Sequence, residues 1–277
     1  MIKESFQVKP HEEGNALLEV LADRLRCSKK QAKALLDGKQ VMVNSQRIWM
    51  AKHKLSTRDV IEVIRSEATA VKKIDILKKA GDILVVNKPA GLVTNDSAKS
   101  LEVRLQRELR NPELCAVHRL DRETSGCVIF AKNTEAKAAM IPIFKNQEVV
   151  KIYRAIVNGR VSDQLQTITR DIDGESATTM VNVLDRSRHA SYLELRIKTG
   201  RTHQIRKHLA AVRHPVLGDK GYAGSKGLAD ILRTLPRQML HAYRLVLPVP
   251  GKANGPLRAT APIPADFQEA LKALKLK

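Results

Sequence analysis

Four short apolar blocks in the middle of the chain, each opened or closed by a turn signal or strictly alternating, limit the fold to one built around a sheet. Ile83-Leu84-Val85-Val86 runs into the turn sequence Asn87-Lys88-Pro89-Ala90-Gly91, and Gly126 opens the apolar run 127–131. Residues 153–157 and 193–197 alternate as half-buried strands do, the second with Leu193, Leu195 and Ile197 on one face. Only short helical patterns lie between strands, among them 136–144 and 203–212. An α+β fold with a mixed or antiparallel sheet is therefore expected, not a repeating βαβ array.

Residues 14–66 read as a separate small α/β unit. Leu17, Leu18, Leu21 and Leu25 recur at helical spacing, and a second helix starts at Ser28, where Gln31 completes a capping box. Ala32, Leu35 and Leu36 supply its buried face, and Gly38 is placed to end it. Val41 and Val43 alternate before the Asn44-Ser45 turn, and residues 60–64 read as a closing strand. Arg24, Arg26, Lys29, Lys30 and Lys33 fall on exposed helix positions and make the unit basic. The polar, Lys-rich segment 67–80 reads as a linker, and 81–277 as the larger domain.

Charge narrows the class of partner. The 277 residues carry 49 Lys plus Arg against 29 Asp plus Glu, a formal charge of +20. A surplus of this size favours a polyanion, because neutralising phosphates releases condensed counterions. It is unevenly spread: +5 in residues 1–66, +2 in 67–185 and +13 in 186–277. A nucleic-acid partner is thus favoured over charge that only aids solubility. No run approaches the roughly 18 apolar residues of a spanning helix, and the N-terminus lacks the apolar core of a signal peptide. A soluble cytoplasmic monomer with no membrane partner is expected. Cys27, Cys115 and Cys127 have no CxxC spacing, so neither a disulfide framework nor a zinc site is indicated.

Two polar stretches stand out as candidates for chemistry. His118-Arg119-Leu120-Asp121-Arg122-Glu123-Thr124-Ser125-Gly126 presents Asp121 between two arginines directly before an apolar strand. Flanking positive charge favours the ionised carboxylate, which suits a nucleophile or base better than an acid, although a surface ion pair is the commoner meaning of such an Asp. Glu123 is too close in sequence to oppose it across a substrate, so a two-carboxylate hydrolase is not indicated. Thr199-Gly200-Arg201-Thr202-His203-Gln204-Ile205-Arg206 follows a strand and opens a helix, with Thr202 able to cap it. Arg201, Arg206 and Lys207 beside the exposed helix amides offer an anion site, and an ordinary basic helix start is an equal reading. His203 and His208 lack acidic or cysteine partners at ligand spacing, so no metal is expected. Tyr153 is one of nine aromatic residues, which argues against a row of stacking platforms but leaves room for one. No GxGxxG, Walker loop, HExxH or nucleophile elbow is present, and no cofactor is expected.

Six segments taken in order resemble the RluA-type pseudouridine synthases: 83–91, 118–126, 151–153, 200–206, His214-Pro215-Val216-Leu217-Gly218-Asp219, and Leu240-His241-Ala242. The resemblance covers about residues 80–267. Residues 14–66 similarly resemble the RNA-binding domain named after small-subunit ribosomal protein S-four, with Arg58-Asp59 where that domain usually has Gly-Asp. What the resemblance implies is cofactor-free isomerisation of uridine to pseudouridine in RNA, with large-subunit ribosomal RNA favoured as substrate. Asp121 falls on the catalytic aspartate, Tyr153 on the tyrosine that stacks on uracil, and Arg206 on the basic partner of the aspartate. Ile205 falls on the aliphatic residue against the base, and Arg119 on the arginine that enters the space left by the flipped nucleotide. Arg201, Thr202 and His203 would complete the substrate site. The rivals are the same chemistry on transfer RNA and a non-catalytic RNA-binding or ribosome-assembly factor.

Overall fold

The computed structural model describes residues 2–25, 27–38, 40–65, 73–222, 235–249 and 255–277. Two compact units divide between Lys73 and Ile74.

The first unit contains β1 (Ile2–Gln7), α1 (Leu17–Arg24), α2 (Lys29–Asp37), β2 (Val41–Val43), β3 (Gln46–Arg47) and β4 (Val60–Arg65). Its strands form an antiparallel sheet in the order β1-β4-β2-β3. Leu17, Val20 and Leu21 of α1 and Ala32 and Leu36 of α2 are buried with Val41, Val43, Ile61 and Val63 of the sheet. Ser28 caps α2 by accepting from the Gln31 amide, and the Gln31 carboxamide accepts from the Ser28 amide in return. Asn44 and Ser45 both have positive φ, the geometry of a tight hairpin turn. Strand β1 lies outside the 14–66 unit read from the sequence. It pairs with β4 along its whole length through backbone bonds that a polar segment makes as well as an apolar one.

The second unit comprises β5 (Asp75–Ala80), β6 (Ile83–Lys88), α3 (Leu101–Leu109), β7 (Cys115–Ala116), β8 (Ser125–Ala131), α4 (Thr134–Lys145) and β9 (Val150–Asn158). There follow β10 (Thr167–Thr169), β11 (Thr178–Arg186), β12 (Ala190–Ile197), α5 (Gln204–Ala211), β13 (Leu240–Leu247), β14 (Leu257–Thr260) and α6 (Ala265–Ala273). The segment read as a linker, 67–80, is corrected from Asp75 onward: β5 pairs with β6 and is an edge of the large sheet. That sheet runs β10-β11-β12-β9-β13-β8-β6-β5, with β14 on β13 and β7 on β8. Among the described residues every pairing in it is antiparallel except β8 with β13, so the sheet is mixed, as the α+β reading expects.

Strand alternation sorts the core into two layers. Leu84, Val86, Val128 and Phe130 face a cluster closed by Leu101 and Leu105 of α3 and Ile205 and Leu209 of α5. Ile83, Val85, Cys127 and Ile129 face the opposite way, onto Met140 of α4. Phe267 and Ala270 of α6 pack with Ile156 and Tyr192. Strand β8 is buried on both faces, which is why its sequence is a continuous apolar run. At the parallel crossing Gly126 has φ +111, and a Cβ there would sit 2.2 Å from the Ala242 carbonyl oxygen. Only glycine lets the start of β8 approach β13 this closely.

Candidate active site

The loop carrying Asp121 lies between β7 and β8 and is tied down along its length. Thr94 Oγ1 accepts from the Leu120 amide at 3.1 Å and donates to the Leu120 carbonyl at 3.2 Å. Lys88, fully buried, donates its ammonium to the carbonyls of Pro89, Leu92 and Arg122. Burial pulls the Lys88 pKa down to about 7, against the opposing pull of Glu123 and Asp121. Arg237 donates to the Glu123 carbonyl while paired in two bonds with Asp266, and the Gln238 carboxamide donates to Thr124 Oγ1. On the strand side His118 Nε2 accepts from the Ile129 amide, and desolvation pushes that imidazole down to about 4, so it is neutral. The aspartate thus sits on a loop with little freedom to relax.

Its carboxylate meets Arg206 from the first turns of α5. Arg206 Nη1 donates to Asp121 Oδ2 at 2.9 Å, while Nε and Nη2 hold both oxygens of the buried Asp219 at 2.6 and 2.8 Å. Burial alone would lower the Arg206 pKa, but the two carboxylates outweigh it and hold it raised. Burial works against ionised Asp219 too, yet Arg206 and the amides of Gly221 and Tyr222 hold its pKa below the usual carboxylate range. One guanidinium therefore bridges a structural carboxylate and an accessible one, an arrangement that needs the planar donor fork of arginine. The Tyr222 ring lies under Arg206, 4.9 Å from its guanidinium, and its hydroxyl is 2.9 Å from His203 Nδ1. His203 Nε2 lies 3.8 Å from Asp121 Oδ1.

Asp121 and Arg206 line a cavity of about 80 Å³ together with Tyr153, Ile205, Thr124 and Leu240. Tyr153 comes from β9 and Ile205 from α5, and both belong to the first core layer, so one wall of the cavity is apolar and the other ionic. Burial raises the Tyr153 pKa, with the Asp121 charge adding to it, so the phenol is neutral.

The structure brings Asp121, Tyr153, Arg206, Ile205, Arg201, His203 and Arg119 to this one cavity. Arg119 reaches out from its rim, 75% exposed, with Asp96 3.6 Å away. The expectation for Thr202 is corrected. The residue before α5 is His203, with φ +56 and no side-chain cap, and Gln204 organises the turn by accepting from the Arg201 amide and the Thr199 hydroxyl. The helix start, equally readable as an anion site or as an ordinary basic start, has its three cations engaged: Arg201 pairs with Glu175, Lys207 with Asp173 and Arg206 with the two aspartates. In the first unit Arg24 is held by the buried Glu12 in two bonds, while Lys29, Lys30 and Lys33 are exposed on α2. Arg26 lies outside the described residues. Sequence reasoning missed Asp219, Lys88, Arg237 and Gln238 as site-building residues. Asp219 and Lys88 were inside segments already singled out, but nothing in their spacing says which groups they meet. Among the described residues no group of three or more His, Cys, Asp or Glu could hold a metal ion.

The model of the family described as RNA pseudouridylate synthase matches residues 82–211, which contain Asp121, Tyr153 and Arg206. Ribosomal large subunit pseudouridine synthase D of Xanthomonas campestris pv. campestris is 34% identical, over 89% of this chain and 82% of its own length. The chain belongs to the RNA pseudouridylate synthase family. The protein of the same name from Xylella fastidiosa is 37% identical, over 73% of this chain and 70% of its own. Among solved structures, human RNA pseudouridylate synthase domain containing 4 superposes with a TM-score of 0.62 at 25% identity, covering 73% of this chain and 94% of that one. This pseudouridine synthase is thus an isomerase whose substrate is RNA, in the fold described above.

Proposed function

We propose that this pseudouridine synthase acts on large-subunit ribosomal RNA and that Asp121 is its catalytic group. The observation that carries the assignment is the carboxylate held by Arg206 at the ionic wall of a cavity whose other wall is Tyr153 and Ile205. The reaction breaks the bond from N1 of uracil to C1′ of the ribose and forms one from C5 to C1′, with the C5 proton lost and a proton gained at N1. Asp121 acts on the ribose, as nucleophile at C1′ or as base beside it, and either route needs the charged carboxylate that Arg206 keeps paired. The Tyr153 ring and Ile205 hold the detached uracil in place while it turns. Extracting the uridine from its stack costs roughly a few kcal/mol, and Arg119, exposed at the rim with the exposed Asp96 3.6 Å away, is placed to fill the space it leaves.

Ribosomal RNA as substrate is supported by the names of the relatives and by the first unit, read as an S-four-like RNA-binding domain. Lys29, Lys30 and Lys33 on α2 form its RNA-facing positions, and Arg24 serves to hold Glu12. The test is a pseudouridine map of total RNA from cells with and without this protein. One or more large-subunit sites should disappear with it; a loss confined to transfer RNA would overturn the substrate assignment.

A further inference from the structure

Beside the catalytic cavity, on the far side of Tyr153 and Gly200, lies a second cavity of about 470 Å³, within the range of small-ligand sites (~300–1,000 Å³). Its described lining contains five cationic side chains, Arg119, Lys145, Lys151, Lys198 and Arg201, and no carboxylate. Arg201 is engaged by Glu175 and Arg119 has Asp96 at 3.6 Å, so the cationic character comes mainly from Lys145, Lys151 and Lys198. The catalytic cavity has Asp121 in its wall and the cavity on its opposite flank has Asp121, Glu123 and Asp219, so the absence of anions sets this one apart. It also has an aromatic floor. Phe144, at the end of α4, is part-exposed, with the His118 ring 5.4 Å away and Lys151 Nζ 5.8 Å from its centroid. Lys151 is anchored by the carbonyls of Lys198 and Thr199, which fixes the ammonium at the cavity wall. Burial lowers its pKa to about 8, so it is still mostly charged at neutral pH and would gain by meeting an anion.

We infer that this cavity is a second nucleotide subsite, which takes the nucleotide next to the target uridine on the same strand, its phosphate on Lys151 and Lys198 and its base on Phe144. The inference rests on the reading that the target uracil lies against Tyr153. The two cavities share Tyr153, Gly200, Arg201 and Arg119, so a strand leaving one enters the other. A neutral aromatic face beside ammonium groups suits a base with its phosphate and gives a purely anionic ligand no use for the ring.

The test is binding of a labelled single-stranded decauridylate to the full chain across a salt series, for the wild type, Lys198→Gln and Phe144→Leu. Lys198 is exposed and Leu keeps an apolar side chain against the second core layer, so both variants should fold. Losing one phosphate contact should flatten the slope of log affinity against log salt by about 0.7 in Lys198→Gln. Losing the stacked base should weaken binding about tenfold in Phe144→Leu with the slope unchanged. A wild-type slope for the first or wild-type affinity for the second would overturn the subsite. Because the readout is binding, it is independent of whether Asp121 is catalytic.

Discussion

At Asp121 the question is what keeps one accessible carboxylate aimed. Arg206 can serve it only because Asp219 holds the guanidinium from behind through two oxygens. Replacing Asp219 by Asn removes the countercharge and leaves a buried cation underpaired. The variant should lose about 3 kcal/mol of stability, and its kcat should fall roughly tenfold to a hundredfold with a smaller change in KM. Denaturant unfolding and steady-state kinetics on an RNA substrate check both, and a normal kcat would remove Asp219 from the account. Asp121, Tyr153 and Arg206 were legible in the sequence because they lie in segments with a family pattern. The role of Asp219 was not, because it exists only once residues 206 and 219 are folded against each other. Thr202 failed as a cap for a related reason: the preference of Thr for such positions is local, whereas Gln204 bonds at once to the turn and to Thr178 and Thr179 of β11.

Among the elements, the buried strands were plain from sequence and the edges were not. Strands β6, β8, β9 and β12 bury enough side chain to leave an apolar run or a strict alternation. Strands β1 and β5 pair mainly through backbone, and the Lys78 and Lys79 positions of β5 suit an open edge that must not recruit another strand. The parallel junction of β8 with β13 is the most demanding contact between elements, since it sets the base of the Asp121 loop. A methyl at Gly126 would overlap the Ala242 backbone, so Gly126→Ala should cost ~3 kcal/mol or more, read as a lower denaturation midpoint. The same junction should make the fold acid-sensitive. His241 is fully buried beside Ser125, and burial pushes its pKa down to about 4. The unfolded imidazole titrates near 6.5, so the unfolded chain binds more protons between these values and stability falls as pH drops from about 6.5 toward 4. The loss from this group is about 3 kcal/mol at the acid end, with His118 adding in the same direction. Denaturation midpoints taken at intervals from pH 7.5 to 4.5 measure it, and a flat profile would contradict the buried neutral ring.

For the whole molecule, a charge of +20 by itself describes any basic protein. Folding sorts that charge into two kinds. Arg201, Arg206, Lys207 and Arg237 of the strongly basic last third are each paired with an acidic side chain, so part of the +13 builds the site and is not spread toward solvent. Lys198 of the same third, and Lys145 from the nearly balanced middle segment, line the cavity beside the one that holds Asp121, where a strand would have to run. The sequence located the surplus in the chain but could not say which cations were already neutralised, because the partners Glu175, Asp173 and Asp266 are distant or unremarkable in sequence. The site comes down to one guarded carboxylate in a basic surround. Its most direct test is the purified Asp121→Asn variant beside the wild type on the same RNA, with pseudouridine formation and RNA affinity both measured. The variant should form no detectable pseudouridine while binding RNA with affinity close to that of the wild type; pseudouridine formed at the wild-type rate would contradict a catalytic Asp121.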